Sequence, residues 1–174
     1  LQKLTLILCF ALILSVFTGG VTARSIATSL PAIQEDNFYK HQQAGIQFEL
    51  PKGWKAKPDG EILTASTPDD SLQIVFWVPD EDTFDAAVKA LDKELEKTVK
   101  KMKTTDKGKS DTHNGMPHYG ESGTGEVDGA TIDWSVDVLA AEKTVIILTF
   151  AAPGIAEKHA DDYARFVSSI KKIK

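Results

Sequence analysis

Two histidines and an aspartate around an Asn-Gly pair are the residues here best spaced to do chemistry. In the stretch Asp111-Thr112-His113-Asn114-Gly115-Met116-Pro117-His118, Asn-Gly favours a two-residue type I′ turn, because both central positions of that turn need positive φ. Such a turn pairs His113 with Met116 and Asp111 with His118, which puts Asp111, His113 and His118 on one face of a hairpin. Directly opposed Cβ atoms in an antiparallel pair are about 4.5–5.5 Å apart. Two imidazoles and a carboxylate at that spacing suit Zn²⁺ or Cu²⁺. The same residues equally make a polar hairpin tip that faces water, with Pro117 free to disturb the register and no outer partner visible to orient the rings. Sequence alone leaves both readings open.

Other chemistry fails on spacing. Gly120-Glu121-Ser122-Gly123-Thr124 has Thr where a nucleophile elbow needs its second Gly, and it reads as a strand where a helix should follow. Gly123-Thr124-Gly125 begins a dinucleotide fingerprint that breaks at Asp128. Asp80-Glu81-Asp82 with Asp85 lacks the Gly and the bidentate Glu of a calcium loop, and fits the start of a helix instead. No nucleophile has a recognisable base and orienter, so the sequence predicts no catalytic residue and no enzyme. No cofactor is implied either.

The chain of 174 residues opens on one Lys and an apolar run from Leu4 to Phe17, interrupted only by Thr5 and Ser15, then Val21-Thr22-Ala23. That run is the length of a secretory core, shorter than the ~20 residues of a membrane span, and it ends on small residues suited to cleavage. We expect residues 1–23 to be a signal peptide cut after Ala23, and the protein to be periplasmic or secreted, off the membrane once cut; the alternative is a segment retained as an anchor, against which Thr18, Gly19, Gly20 and Thr22 break the apolar run early. The one cysteine, Cys9, falls inside this segment. The exported chain therefore has no thiol or disulfide and must rest on a hydrophobic core, for which residues 24–174 are long enough. With 20 basic against 25 acidic residues the net charge is −5, and loss of Lys3 makes it more negative. Only Arg24 and Arg165 carry guanidinium groups. An acidic, arginine-poor chain is not a nucleic-acid binder. A protein or cell-envelope partner is the expectation that remains.

Residues 24–44 are polar without a period and read as a tether, leaving 45–174 as one domain. Ile46, Phe48 and Leu50 alternate with Gln47 and Glu49 until Pro51 and Gly53 turn the chain, which places Trp54 against a sheet end as a buried aromatic. Strands follow at 61–66 and 71–78 around Thr67-Pro68-Asp69-Asp70, the second apolar on both faces and so inside a covered sheet. Phe84, Val88, Leu91, Leu95, Val99 and Met102 then recur at helical spacing, with acids at the start and Lys97, Lys100, Lys101 and Lys103 at the finish. Those lysines are interleaved with Asp92, Glu94, Glu96 and Asp106, as on a solvated face. Residues 104–151 read as four strands joined at Asn114-Gly115, Asp128-Gly129 and Ala141-Glu142. A last helix after Pro153-Gly154 buries Tyr163, Phe166, Val167, Ile170 and Ile173, with Lys171, Lys172 and Lys174 at its end. The class is α+β: an antiparallel sheet of about six to seven strands sandwiched by two main helices.

The motifs Phe48-x-x-Pro51-x-Gly53-Trp54, Asn114-Gly115-x-Pro117-x-Tyr119, Gly123-Thr124-Gly125, Asp128-Gly129 and Ala152-Pro153-Gly154 together resemble the PsbP-like superfamily. Within it they are most similar to the small exported bacterial proteins around DcrB. The resemblance covers residues 45–172. It implies an antiparallel sheet sandwiched by helices and a docking, assembly or stress-associated role without catalysis, and it transfers no active-site residue. The function expected is thus an exported binding module, with a metal-binding protein using Asp111, His113 and His118 as the alternative.

Overall fold

The structure, a computed structural model, describes residues 34–35, 37–59, 62–79, 83–108 and 110–173. The expected signal peptide, residues 24–33 and 36 of the tether, and the acidic start at Asp80–Asp82 of the first helix lie outside them.

Strands β1 (Gln34–Glu35), β2 (Phe38–His41) and β3 (Ile46–Glu49) come first, then β4 (Lys55–Asp59), β5 (Ile62–Ser66) and β6 (Leu72–Trp77). Helix α1 (Phe84–Thr98) precedes β7 (Lys100–Asp106), β8 (Ser110–His113), β9 (Met116–Val127), β10 (Ala130–Ala140) and β11 (Thr144–Ala151). Helices α2 (Ile155–Lys158) and α3 (Ala160–Ser169) lead to β12 (Lys171–Lys172). An 8-stranded sheet runs β4-β5-β6-β11-β10-β9-β7, with β8 also on β9, and a 4-stranded sheet runs β1-β2-β3-β12. Every pairing is antiparallel. This is the α+β class read from the sequence, with more strands than expected and a second, smaller sheet.

Alternation in the central strands gives the large sheet two apolar faces. Val75, Ile132, Trp134, Val136, Val138, Ile146 and Leu148 lie beneath Ala87, Leu91 and Leu95 of α1. On the opposite face Ile74, Phe76, Leu139 and Ile147 meet Ile46 and Phe48 of the small sheet and Phe166 of α3. Thr83 caps α1, its side chain accepting from the amide of Ala86 at 3.2 Å.

Three boundaries differ from the sequence reading. The helix stops at Thr98, because Val99 turns extended (φ −93°, ψ 114°), so Lys100, Lys101 and Lys103 lie on β7 and only Lys97 is in the last helical turn. The apolar period misled because Met102, on the strand, packs on the same core as the helix. Lysines on an edge strand instead discourage pairing with another chain. The last helix likewise ends at Ser169, and Lys171 and Lys172 pair with Gln47 and Ile46. Toward the other end the folded unit reaches past Gly45: β2 pairs with β3, and Tyr39 and Ala44 are buried. Strand β4, unread in the sequence, is an edge strand, where Pro58 removes no needed donor.

Both Asn-Gly and Asp-Gly turns have positive φ at each central residue (48° and 77° at 114 and 115, 51° and 83° at 128 and 129). Trp54, 8% exposed, stacks on Phe166 at 6.3 Å between ring centroids and meets His159 edge-on at 6.4 Å. Replacing it with Ala should lower unfolding stability by about 3–5 kcal/mol, the usual loss for a buried large aromatic. Urea denaturation of wild type and Trp54→Ala checks this; an unchanged midpoint would place the indole outside the core.

Candidate functional site

The hairpin forms in the register its turn dictates, with Asp111 opposite His118 and His113 opposite Met116. Strand β9 is long enough to carry two short neighbours on one edge, β7 along Ser122–Glu126 and β8 along Met116–Tyr119. Its other edge pairs with β10, where Gly120 faces Asp137 and His118 faces Leu139. Asp111, His118 and Asp137 therefore stand across three adjacent strands on one face.

Their side chains form a chain of charge. His118 Nδ1 is 2.6 Å from Asp111 Oδ1 and Nε2 is 2.9 Å from Asp137 Oδ1. A neutral imidazole has one N–H, so only the imidazolium donates to both carboxylates. The hydrogen bond to Asp137 is the largest influence raising the His118 pKa; burial opposes it, and Asp111 adds to the rise. The two acids differ in setting: the Asp137 side chain is 24% exposed and that of Asp111 is 64% exposed. Gly120 makes the room. A Cβ there would lie 3.1 Å from Asp137 Oδ1 and 3.2 Å from the His118 ring.

Tyr163 of α3 closes the inner side. Its hydroxyl is 3.1 Å from Thr149 Oγ1 and 3.4 Å from Ser135 Oγ, and burial, with the Asp137 charge adding, raises its pKa. Between α3 and the β8–β9 edge lies a cleft of about 390 Å³, bordered by Lys107, Asp111, His118, Ser122, Asp137 and Tyr163. A larger depression of about 490 Å³ lies at the hairpin tip, beside Phe38, Glu49 and Lys171. There Asn114 Nδ2 donates to Ser168 O at 3.0 Å and Ile170 O at 2.7 Å, fastening the tip to the end of α3.

The three residues singled out in the sequence thus share a face. His118 has a carboxylate on each ring nitrogen, and the His113 ring centroid is 6.1 Å from that of His118. Among the described residues no group of three or more His, Cys, Asp or Glu side chains is arranged to hold a metal ion. Asp137, absent from the sequence-based set, is the partner that completes the arrangement. Its signal was present: it belongs to the polar set of the alternating strand Thr131, Asp133, Ser135, Asp137. Gly123 and Gly125 also find a reason other than a phosphate loop. A Cβ at Gly123 would come within 2.1 Å of Lys103 O, and one at Gly125 within 2.2 Å of Val99 Cγ1.

No family model matches the sequence, and no curated protein does. Among solved structures it is similar to cyanobacterial PsbP (CyanoP) from Synechocystis sp. PCC 6803, with 11% identity and a TM-score of 0.57 over 83% of this chain and 98% of that one. The fold is PsbP-like. It is similar also to PA94 from Pseudomonas aeruginosa, a protein of unknown function, with 14% identity and a TM-score of 0.55 over 79% of this chain and 96% of that one. A third likeness is to LpqN, involved in cell envelope biogenesis of Mycobacterium tuberculosis, with 11% identity and a TM-score of 0.52 over 74% of this chain and 83% of that one. At 11–14% identity these likenesses carry the PsbP-like architecture and no residue roles. Among the described residues no helix is long and apolar enough to cross a membrane.

A metal at His118 would compete with the proton that the two carboxylates favour on the ring. Titration calorimetry with Zn²⁺ and Cu²⁺ at pH ~7.5 should therefore give no heat above dilution. A saturable signal that disappears in the His113→Ala/His118→Ala double variant would make this face a metal centre after all.

Proposed function

We propose that the protein is an exported, non-catalytic docking module that engages a protein or cell-envelope partner through the cleft beside His118. One observation carries this reading. The face of the large sheet that α3 and the small sheet cover elsewhere opens into the cleft where β9 and β10 pair Ser122 with Ser135 and Gly120 with Asp137, and there Ser122, Ser135 and Asp137 are partly exposed. A sheet face with an incomplete cover in an otherwise two-sided core is a natural place for a partner to lie.

The absence of catalysis is supported by the contacts of His118, whose ring nitrogens face carboxylates and no hydroxyl nucleophile. Export is supported by the apolar segment ending at Val21-Thr22-Ala23 and by the resemblance to DcrB-like proteins. LpqN, of similar fold, takes part in cell envelope biogenesis, which agrees with a place in the envelope for this chain.

A photo-crosslinking residue at Ser122, in the cleft, should capture a discrete partner in the native host. The same probe at Lys57, on the β4 edge, should not. Equal capture at both positions, or none at Ser122, would remove the cleft as the docking face. N-terminal sequencing of the exported protein should read from Arg24; an intact Leu1 would overturn the cleavage.

A further inference from the structure

We propose that His118 is a protonation-controlled latch, whose imidazolium fastens β8 to β10 and whose loss of a proton frees β8 and widens the cleft. The geometry makes the two states unequal. As a cation, His118 gives one N–H to Asp111 on β8 and the other to Asp137 on β10, at 2.6 and 2.9 Å. As a neutral ring it keeps one N–H, and the other nitrogen turns a lone pair toward a carboxylate, which repels it.

Asp111 is the side that lets go. Asp137 sits in the middle of β10, 24% exposed and close to Tyr163, and is paired through its backbone with Ile147 and Gly120. Asp111 is 64% exposed on a four-residue edge strand that has β9 on one side only. The neutral ring therefore keeps its proton on Nε2, facing Asp137, and turns its lone pair on Asp111.

The charged and titratable groups around the ring support the same sense of change. From β8 it faces Asp111 and, 6.1 Å away between centroids, His113. From β10 it faces Asp137, and from α3 the phenol of Tyr163 borders the same cleft. Asp106, Lys107 and Glu121 border it from the β7 end and β9. Two carboxylates in contact, with one lysine at the rim, hold the proton on His118 beyond its ordinary range, as the raised pKa requires.

The direction in pH follows. A pKa raised on folding contributes stability that is fully present below the unfolded value of about 6.5 and is lost as pH climbs through the higher folded value. The latch is closed below the folded pKa of His118 and opens as pH rises through it. In the docking reading above, the open state is the one with the accessible face. The latch itself rests only on the contacts of His118 with Asp111 and Asp137, so it can stand where that reading falls.

The test uses the free protein and reads β8 directly. Imidazole NMR should place the His118 midpoint above 6.5. Amide-exchange protection factors, which remove the intrinsic pH dependence of exchange, should fall about tenfold or more for β8 across that midpoint while β10 stays unchanged. In Asp111→Asn, an exposed substitution that spares the core, the His118 midpoint should drop and β8 protection should be flat with pH. Equal β8 protection on either side of the midpoint, an unaltered pH dependence in Asp111→Asn, or a midpoint at or below 6.5 would each overturn the latch. Failure of crosslinking at Ser122 with the NMR result intact would remove only the docking face.

Discussion

Phe48 stacks on Phe76 at 4.6 Å and 4° between planes, and Phe166 stands edge-on to both at 5.6 and 5.9 Å. Each ring comes from a different layer: the small sheet, the large sheet and the last helix. This triad is the point at which three elements far apart in sequence become one body, and offset and edge-on aromatic pairs add to what burial alone provides. Trp54 and Tyr39 extend it by stacking on Phe166 and Phe48. Because the triad sits over β6 and β11, α3 and the small sheet are drawn to that half of the face. Toward Ser122, Ser135 and Asp137 of β9 and β10 the cover is incomplete, and the polar cleft lies there, away from the aromatic contact.

An incompletely covered face still has to satisfy its own polar groups. Asp137, Ser135 and Thr149 point into a partly dry region beside Tyr163, where a lone charge would be unfavourable. A positive imidazole between two acids answers this by compensating Asp137 locally, and the more exposed Asp111 balances the remaining charge near water. Gly120 leaves room for the arrangement, since a Cβ opposite Asp137 would press on the carboxylate and the ring at 3.1 and 3.2 Å. Farther along the same edge β7 carries lysines, one of them paired with Glu126 at 2.8 Å, so the sheet ends on charge and not on an open apolar strand.

Much of this was legible in the sequence where local rules dominate. Asn114-Gly115 and Asp128-Gly129 fixed their turns because positive φ is demanded at adjacent positions, and the register of Asp111 against His118 followed from turn length alone. The burial of Ile132, Trp134, Val136 and Val138 followed from strict alternation. What stayed hidden depends on contacts across the chain. Nothing local tells that Asp137, 19 residues away, takes the second nitrogen of His118, nor that Met102 leaves a helix for a strand while keeping its place in the core. The strand β2 escaped notice since one buried residue in four, Tyr39, is too little pattern to read, and it exists because β3 offers it an edge.

The hairpin that bears the site is held at two points of different chemistry. At its tip the Asn114 amide donates to two carbonyls at the end of α3, with His113 Nε2 3.3 Å from the same nitrogen. Toward its base it is held by the contact of His118 with Asp111, which with that to Asp137 is doubly donated only while the ring is charged. The latch proposed for His118 would act on β8 between these two points, while its four backbone pairs with β9 keep it on the sheet. The outward swing of Ser110 and Asp111 about Asn114 would leave the β9–β10 ladder, the aromatic triad and the cover of α3 in place. Such movement would fall on an edge strand that has a neighbour on one side only, next to the end of α3.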